Sequence, residues 1–214
     1  MTQTDNSESA TIYLVDDDPA VRKSLSRSLE MRDYQVVAFA SAEEFLEQVD
    51  DQPVIGCLLL DVRMPGMSGL ELQEVLIERQ STLPIIFITG HGDIPMSVTA
   101  IKSGAIEFLE KPYEVDALLR KIDDAIALSR QLQTKRAEQA VVLERFALLT
   151  AREVEVMRLL VAGAADASNK VIARQLSISH RTVDDHRARI MAKMQARSVS
   201  ELVDMAKTCG CYKP

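Results

Sequence analysis

The feature that most restricts how this chain can fold is a series of short apolar runs, each stopping at a polar or turn-forming residue. Ile12-Tyr13-Leu14-Val15 runs into Asp16-Asp17-Asp18, Val36-Val37-Ala38-Phe39 into Ser41, and Val54 to Leu60 into Asp61. Pro84 to Thr89 runs into Gly90-His91-Gly92, and Ile106 to Glu110 into Lys111-Pro112. Runs of this length between turn signals read as buried strands. Segments of helical spacing separate them. Pro19 opens one in which Val21, Leu25 and Leu29 share a face, and Ser41-Ala42-Glu43-Glu44 starts another with a capping box. Leu70 to Ile77, Pro95 to Lys102 and Val115 to about Leu128 supply three more. Strands alternating with helices predict an α/β fold: a doubly wound five-stranded parallel sheet with helices on both faces.

In such a sheet every strand ending lies at one edge, where ligands bind. That edge collects Asp16 and Asp17 after the first strand, Asp61 after the third, Thr89 after the fourth and Lys111 after the fifth. Each of these alone also reads as a helix cap or a loop residue; five of them at four strand ends read as one site. Three crowded carboxylates repel one another unless a cation intervenes, and hard oxygen ligands favour Mg²⁺, which keeps several waters and bridges to phosphate. Lys111 offers a point charge to phosphate oxygens and Thr89 a hydroxyl donor. Asp61 is the residue expected to do chemistry.

These residues resemble the receiver domain of two-component response regulators over positions 11 to about 128. The resemblance rests on the Asp16-Asp17 pair, Asp61 with Met64-Pro65-Gly66, Ile88-Thr89-Gly90 and Lys111-Pro112. It implies a flavodoxin-like fold in which Asp61 takes a phosphoryl group from a histidine kinase. It also implies Mg²⁺ held by Asp16, Asp17, Asp61 and the backbone carbonyl of Arg63, a switch pair formed by Thr89 and Phe108, and a cis bond before Pro112. Phosphorylation adds charge and acceptors beside Thr89 and Lys111 and so biases a bistable element. The expected element is the surface of residues 94 to 110, a dimer interface in that family, with a solvated helix face as the alternative. Arg63 and His91 are placed to gate water attack on the phosphoryl group; for His91 a plain loop role stays open.

Charge divides the remaining length. Up to Ala127 the chain has 10 Lys+Arg against 23 Asp+Glu, net −13, and beyond it 15 against 9, net +6, within the overall −7. A basic second unit in an acidic protein points to nucleic acid. Ser129 to Phe146 lacks Gly and Pro and reads as a continued or second helix. Thr150-Ala151-Arg152-Glu153 caps a helix to about Ala162, Ser168 to Gln175 forms a short one, and Leu176-Ser177-Ile178 turns into a third from His180 to about Met194. Ser198-Val199-Ser200-Glu201 caps the last, which ends before Gly210. Two short helices joined by a tight turn, the second carrying Arg181, Arg187, Arg189 and Lys193, form a small all-α helix-turn-helix domain whose cations face phosphates and groove edges.

This part resembles the LuxR-type DNA-binding domain in Leu149 to Glu153, Asn169 to Ala173 and Arg181-Thr182-Val183-Asp184-Asp185-His186. The whole then resembles a NarL/FixJ-type transcriptional regulator. The implied DNA-contacting residues are Lys170, Arg181, Thr182, Asp184, Asp185, His186, Arg187, Arg189 and Lys193. Two departures stand out. Ala164-Ala165-Asp166-Ala167 lengthens the connection between the first two helices. Asp184 and Asp185 open the recognition helix with carboxylates; they accept from cytosine amino groups, hold Arg neighbours, or favour the helix N-terminus. His186 reads as packing or a phosphate contact, since no second metal ligand lies nearby.

The expected layout is a flexible N-terminus (1–10), receiver (11–128), helical linker (129–146), DNA-binding domain (147–208) and tail (209–214). Cys57, Cys209 and Cys211 form no disulfide framework, the first ten residues are unlike a signal peptide, and no run approaches a bilayer span. These features suggest the cytoplasm and no membrane. Expected partners are a histidine kinase, double-stranded promoter DNA, a second copy on phosphorylation, and RNA polymerase. The alternatives are a phosphotransferase or phosphatase using Asp61, which lacks a second acid two residues on, and a phosphorylation-independent regulator with a vestigial receiver site.

Overall fold

The computed structural model describes residues 10–49, 54–90, 98, 100–163 and 169–208. The chain divides into two compact units, Met1–Thr134 and Lys135–Pro214. The first has five strands: β1 (Thr11–Val15), β2 (Gln35–Phe39), β3 (Gly56–Leu60), β4 (Ile85–Thr89) and β5 (Glu107–Glu110). They form one all-parallel sheet in the order β2-β1-β3-β4-β5. Helices α1 (Pro19–Glu30), α2 (Ala42–Gln48), α3 (Gly69–Glu78) and α4 (Val115–Ala147) accompany it. The expected helix Pro95 to Lys102 lies mostly outside the described residues; positions 98 and 100–102 are helical.

Side-chain alternation along the strands sorts the core into two faces. Tyr13, Val15, Leu58, Leu60 and Phe87 point to one face, with Phe45 of α2 and Leu72 and Leu76 of α3 packed on them. Ile12, Leu14, Cys57, Leu59, Ile86 and Ile88 point to the other, against Leu25 and Leu29 of α1 and Leu118, Ile122, Ala125 and Ile126 of α4. Central strands β1, β3 and β4 are buried throughout, as parallel strands covered on both faces must be. β3 begins at Gly56 rather than Val54. A Cβ on Gly56 would stand 1.9 Å from the Thr11 carbonyl oxygen, so only glycine fits there. The Gly56 N–H donates to the Oγ of buried Ser129 on α4 at 3.1 Å.

The second unit is all helical. After the end of α4 come α5 (Ala151–Ala162), α6 (Asn169–Leu176), α7 (His180–Met194) and α8 (Val199–Thr208). Val156, Met157, Leu160, Ile172, Val183, Ile190, Met194 and Leu202 are the centre of its core, and Val142 and Phe146 of α4 join them. The box at Thr150 forms as expected, with Thr150 Oγ1 accepting the Glu153 N–H and Glu153 reaching back to the Thr150 N–H at 2.8 Å. The boxes at Ser41 and Ser198 form only half-way. The cap hydroxyl accepts as expected, but Glu44 and Glu201 reach one residue further, to the N–H groups of Ala40 and Arg197. No helix among the described residues is long and apolar enough to cross a membrane.

Candidate functional site

In the order β2-β1-β3-β4-β5 the chain turns outward in opposite directions from β1 and β3, and the crevice of such a sheet opens beyond their carboxyl ends. Val15 and Leu60 are register partners, and the Asp61 N–H donates to the Val15 carbonyl at 2.8 Å. Asp16 and Asp61 therefore leave adjacent strands at the same level. Both are buried, with 3% and 9% of their surface exposed, whereas Asp17 is exposed.

Lys111 joins them. Its ammonium lies 2.8 Å from Asp16 Oδ2 and 3.9 Å from Asp61 Oδ1. Lys111 is set by strand pairing, since its N–H donates to the Thr89 carbonyl at 2.8 Å, and the bond to Pro112 is cis. Asp16 is fixed on three sides: Oδ1 accepts the Asp18 N–H at 2.9 Å, Oδ2 takes Lys111, and the carbonyl accepts Arg22 Nη1 at 2.5 Å. Asp18 caps α1 by accepting the Ala20 N–H.

Burial pushes the Asp61 carboxyl above its ordinary range, and the charge of Asp16 adds to this; Lys111 and the N–H groups of Val62 and Arg63 oppose it. Burial also works against the Lys111 ammonium, but its hydrogen bond to Asp16 and the charges of Asp16 and Asp61 outweigh that and hold its pKa above the usual value. The pocket thus favours added positive charge beside Asp61. No group of three or more His, Cys, Asp or Glu is gathered closely enough to hold a metal among the described residues. Two buried carboxylates, Asp16 and Asp61, nonetheless fit Mg²⁺, which takes one or two carboxylates and keeps waters.

Thr89 is buried at the end of β4, and Phe108 is half-buried on β5, its ring 6.0 Å from that of Phe87, its register partner. Arg63 is exposed in the loop after Asp61. One contact at this loop was not expected from the sequence: Glu43 of α2 accepts the Met67 N–H at 2.8 Å and lies against Gly66, whose φ is +78°. His91, like Cys209, Cys211 and Ala164 to Ala167, lies outside the described residues.

In the second unit Val183, Ile190 and Met194 turn the inner face of α7 into the core, leaving Arg181, Asp184, Asp185 and Arg189 exposed on the outer face with Lys170 of α6. Thr182, His186 and Arg187 are half-buried, and His186 Nδ1 is buried with no hydrogen-bond partner among the described residues. Lys193 also has partners within its own unit. Its ammonium is held inside the domain, 2.6 Å from Glu153 Oε2 and 3.0 Å from the Leu148 carbonyl, because α5 packs beside the last turn of α7. This pairing gives it a structural role within the unit, with 32% of its side chain exposed. Lys193 and the Thr150 N–H hold the Glu153 carboxyl down at about 2.

Residues 12–123 match the family model of the response regulator receiver domain, and residues 147–206 that of the luxR family of bacterial regulatory proteins. The chain belongs to the response regulators, as a transcription factor joining a receiver to a LuxR-type DNA-binding domain, a class of regulators rather than enzymes. Among known proteins it is 44% identical to the transcriptional regulatory protein FixJ of Bradyrhizobium diazoefficiens, over 93% of this chain and 95% of that one. It is 41% identical to the transcriptional regulatory protein TdiR of Thauera aromatica, over 95% and 88%. Among solved structures, the response regulator StyR aligns with a TM-score of 0.75 at 44% identity, over 93% of this chain and 98% of that one. Full-length FixJ from B. japonicum aligns with a TM-score of 0.55 at 42% identity, over 95% and 98%. A receiver implies a histidine kinase as partner, and receivers generally bind Mg²⁺ at the phosphorylation site; a LuxR-type domain implies DNA.

Proposed function

We propose that Asp61 is the phosphoacceptor and that its phosphorylation controls DNA binding by residues 147–208. The observation that carries this reading is the Lys111 ammonium bridging Asp16 and Asp61 at the carboxyl edge of the sheet. An Asp61 oxygen attacks the phosphorus of a phosphohistidine on the kinase; the P–N bond breaks, and the histidine nitrogen keeps the electron pair. Lys111 pairs with the oxygens of the incoming phosphoryl group, and the Thr89 hydroxyl donates to one of them. Asp16, Asp61 and the Arg63 carbonyl, with Asp17 through water, would hold Mg²⁺, which supplies charge neutralisation to the phosphoryl oxygens when bound. Asp16 is kept in place for this by Asp18 and Arg22.

Reorientation of Thr89 and Phe108 then alters residues 94 to 110, and two copies associate there. The dimer presents two helix-turn-helix units to a two-fold-related promoter site in the cytoplasm, where the DNA and RNA polymerase are. Lys170, Arg181, Arg187 and Arg189, with Thr182 and His186, approach the duplex. The layout we assign is receiver 11–128, helical linker 129–146 and DNA-binding domain 147–208.

The test is selection of genomic fragments on the full-length protein in Mg²⁺ at fixed salt, with and without a small phosphodonor. Enrichment of a two-fold-related motif only after phosphorylation, and not with Asp61→Asn, is the expected result. Equal enrichment in all samples would overturn the control by Asp61.

A further inference from the structure

A DNA-binding helix that opens with two carboxylates meets a polyanion with the wrong sign, and one of the two is held in a way that offsets this. Asn169, the first residue of α6, donates from Nδ2 to Asp184 Oδ1, and its own Oδ1 accepts from Arg187 Nη1 at 2.5 Å. The amide thus relays between a guanidinium and a carboxylate on successive turns of α7. The relay fixes the rotamer of Asp184 before any duplex arrives and places a cation at the other end of the amide. It also uses only one oxygen of Asp184. Asp184 itself is exposed on α7, near the helix start. Asp185, equally exposed, has no such anchor.

A fixed, exposed acceptor in the major groove needs a donor. The groove offers two amino donors, cytosine N4 and adenine N6. Adenine places the N7 acceptor beside its amino group, which a carboxylate meets unfavourably and an amide side chain meets well; cytosine's own edge carries no such acceptor. Resting on the reading that α7 enters the groove, we propose that Asp184 reads a cytosine in each half-site, with Asn169 and Arg187 as its positioning residues.

The experiment compares base preferences at every half-site position for full-length wild type, Asp184→Asn, Asp184→Ala and Asn169→Ala, each phosphorylated with a small phosphodonor in Mg²⁺ at one salt concentration. Melting curves confirm that each variant is folded. In the expected result, wild type prefers C·G at one position, and Asp184→Ala loses about 5- to 100-fold discrimination there alone. Asp184→Asn moves that preference toward adenine, and Asn169→Ala relaxes the same position partially. Identical motifs for wild type and both Asp184 variants would overturn the proposal, as would a loss spread evenly over all positions. If wild type itself selects no motif, the reading of α7 as the recognition helix fails first, and the assignment of cytosine with it.

Discussion

Asp61 is held in a pocket that disfavours its own charge, and this has a measurable consequence. Its folded-state pKa is raised, so the native receiver binds that proton more tightly than the unfolded chain, and ionising Asp61 at neutral pH destabilises the fold. Asp61→Asn removes the charge with almost no change in shape. Without Mg²⁺, thermal unfolding of the receiver at neutral pH should occur at a higher temperature in the variant, with the gain shrinking as pH falls through the raised Asp61 value toward the ordinary carboxylate value; the same variant should incorporate no phosphoryl group. A second residue acts at one remove. Glu43 anchors the Met67 N–H and so the loop that carries Arg63. Glu43→Ala should lower receiver stability and slow phosphorylation by a small phosphodonor. Glu43→Gln, which keeps an acceptor oxygen, should lie between. Asp16, Asp61 and Lys111 were legible in the sequence because strand ends of a parallel sheet must converge. Glu43 was not, since a helix residue preceding the third strand gives no local sign of which backbone amide it will meet.

Among the elements, strands were the most legible, because apolar runs that stop sharply leave few ways to be misread. Their starts were less so: the first residue of β3 is set by the fit of Gly56 against Thr11 in a neighbouring strand. α4 shows the converse. The lack of Gly or Pro between Ser129 and Phe146 left a continued or a second helix open, and the chain takes one helix of 33 residues, Val115–Ala147. The α5–α7 pair exposes the limit of local reading, because Lys193 and its partner Glu153 are separated by 40 positions. That ion pair predicts a pH dependence. The Glu153 pKa falls from 4.5 to about 2 on folding, so the stabilisation is present above 4.5 and is lost as pH drops toward 2. Glu153→Gln keeps the reach back to the Thr150 N–H but removes the charge. Urea unfolding of the second unit should show the variant about 1.5–3 kcal/mol less stable at pH 7, and the two proteins should converge near pH 2. A constant difference across that range would mean that packing, not the Lys193 charge, fixes Glu153.

For the whole molecule, the salt dependence of binding counts how many copies act on DNA. The receiver side carries net −13 and the remainder +6, so on the proposed reading phosphate neutralisation would fall to residues such as Lys170, Arg181 and Arg189, all exposed. Affinity falls with salt with a log–log slope of about 0.9 per phosphate neutralised. Removing one phosphate-contacting cation from every chain therefore shallows the slope by about 0.9 if a single protomer engages the site, and by about 1.8 if two do. Arg181→Ala in the phosphorylated full-length protein, titrated on a selected promoter fragment at several salt concentrations, should give the larger change. Lys193→Ala is the internal control: its ammonium is held by Glu153 and the Leu148 carbonyl, so it should lower stability while leaving the slope intact. A change of about 0.9 for Arg181→Ala would reduce the assembly on DNA to one protomer. A change of the same size for Lys193→Ala would show that binding pulls that side chain out of the domain, and the internal ion pair would then belong to the free protein alone.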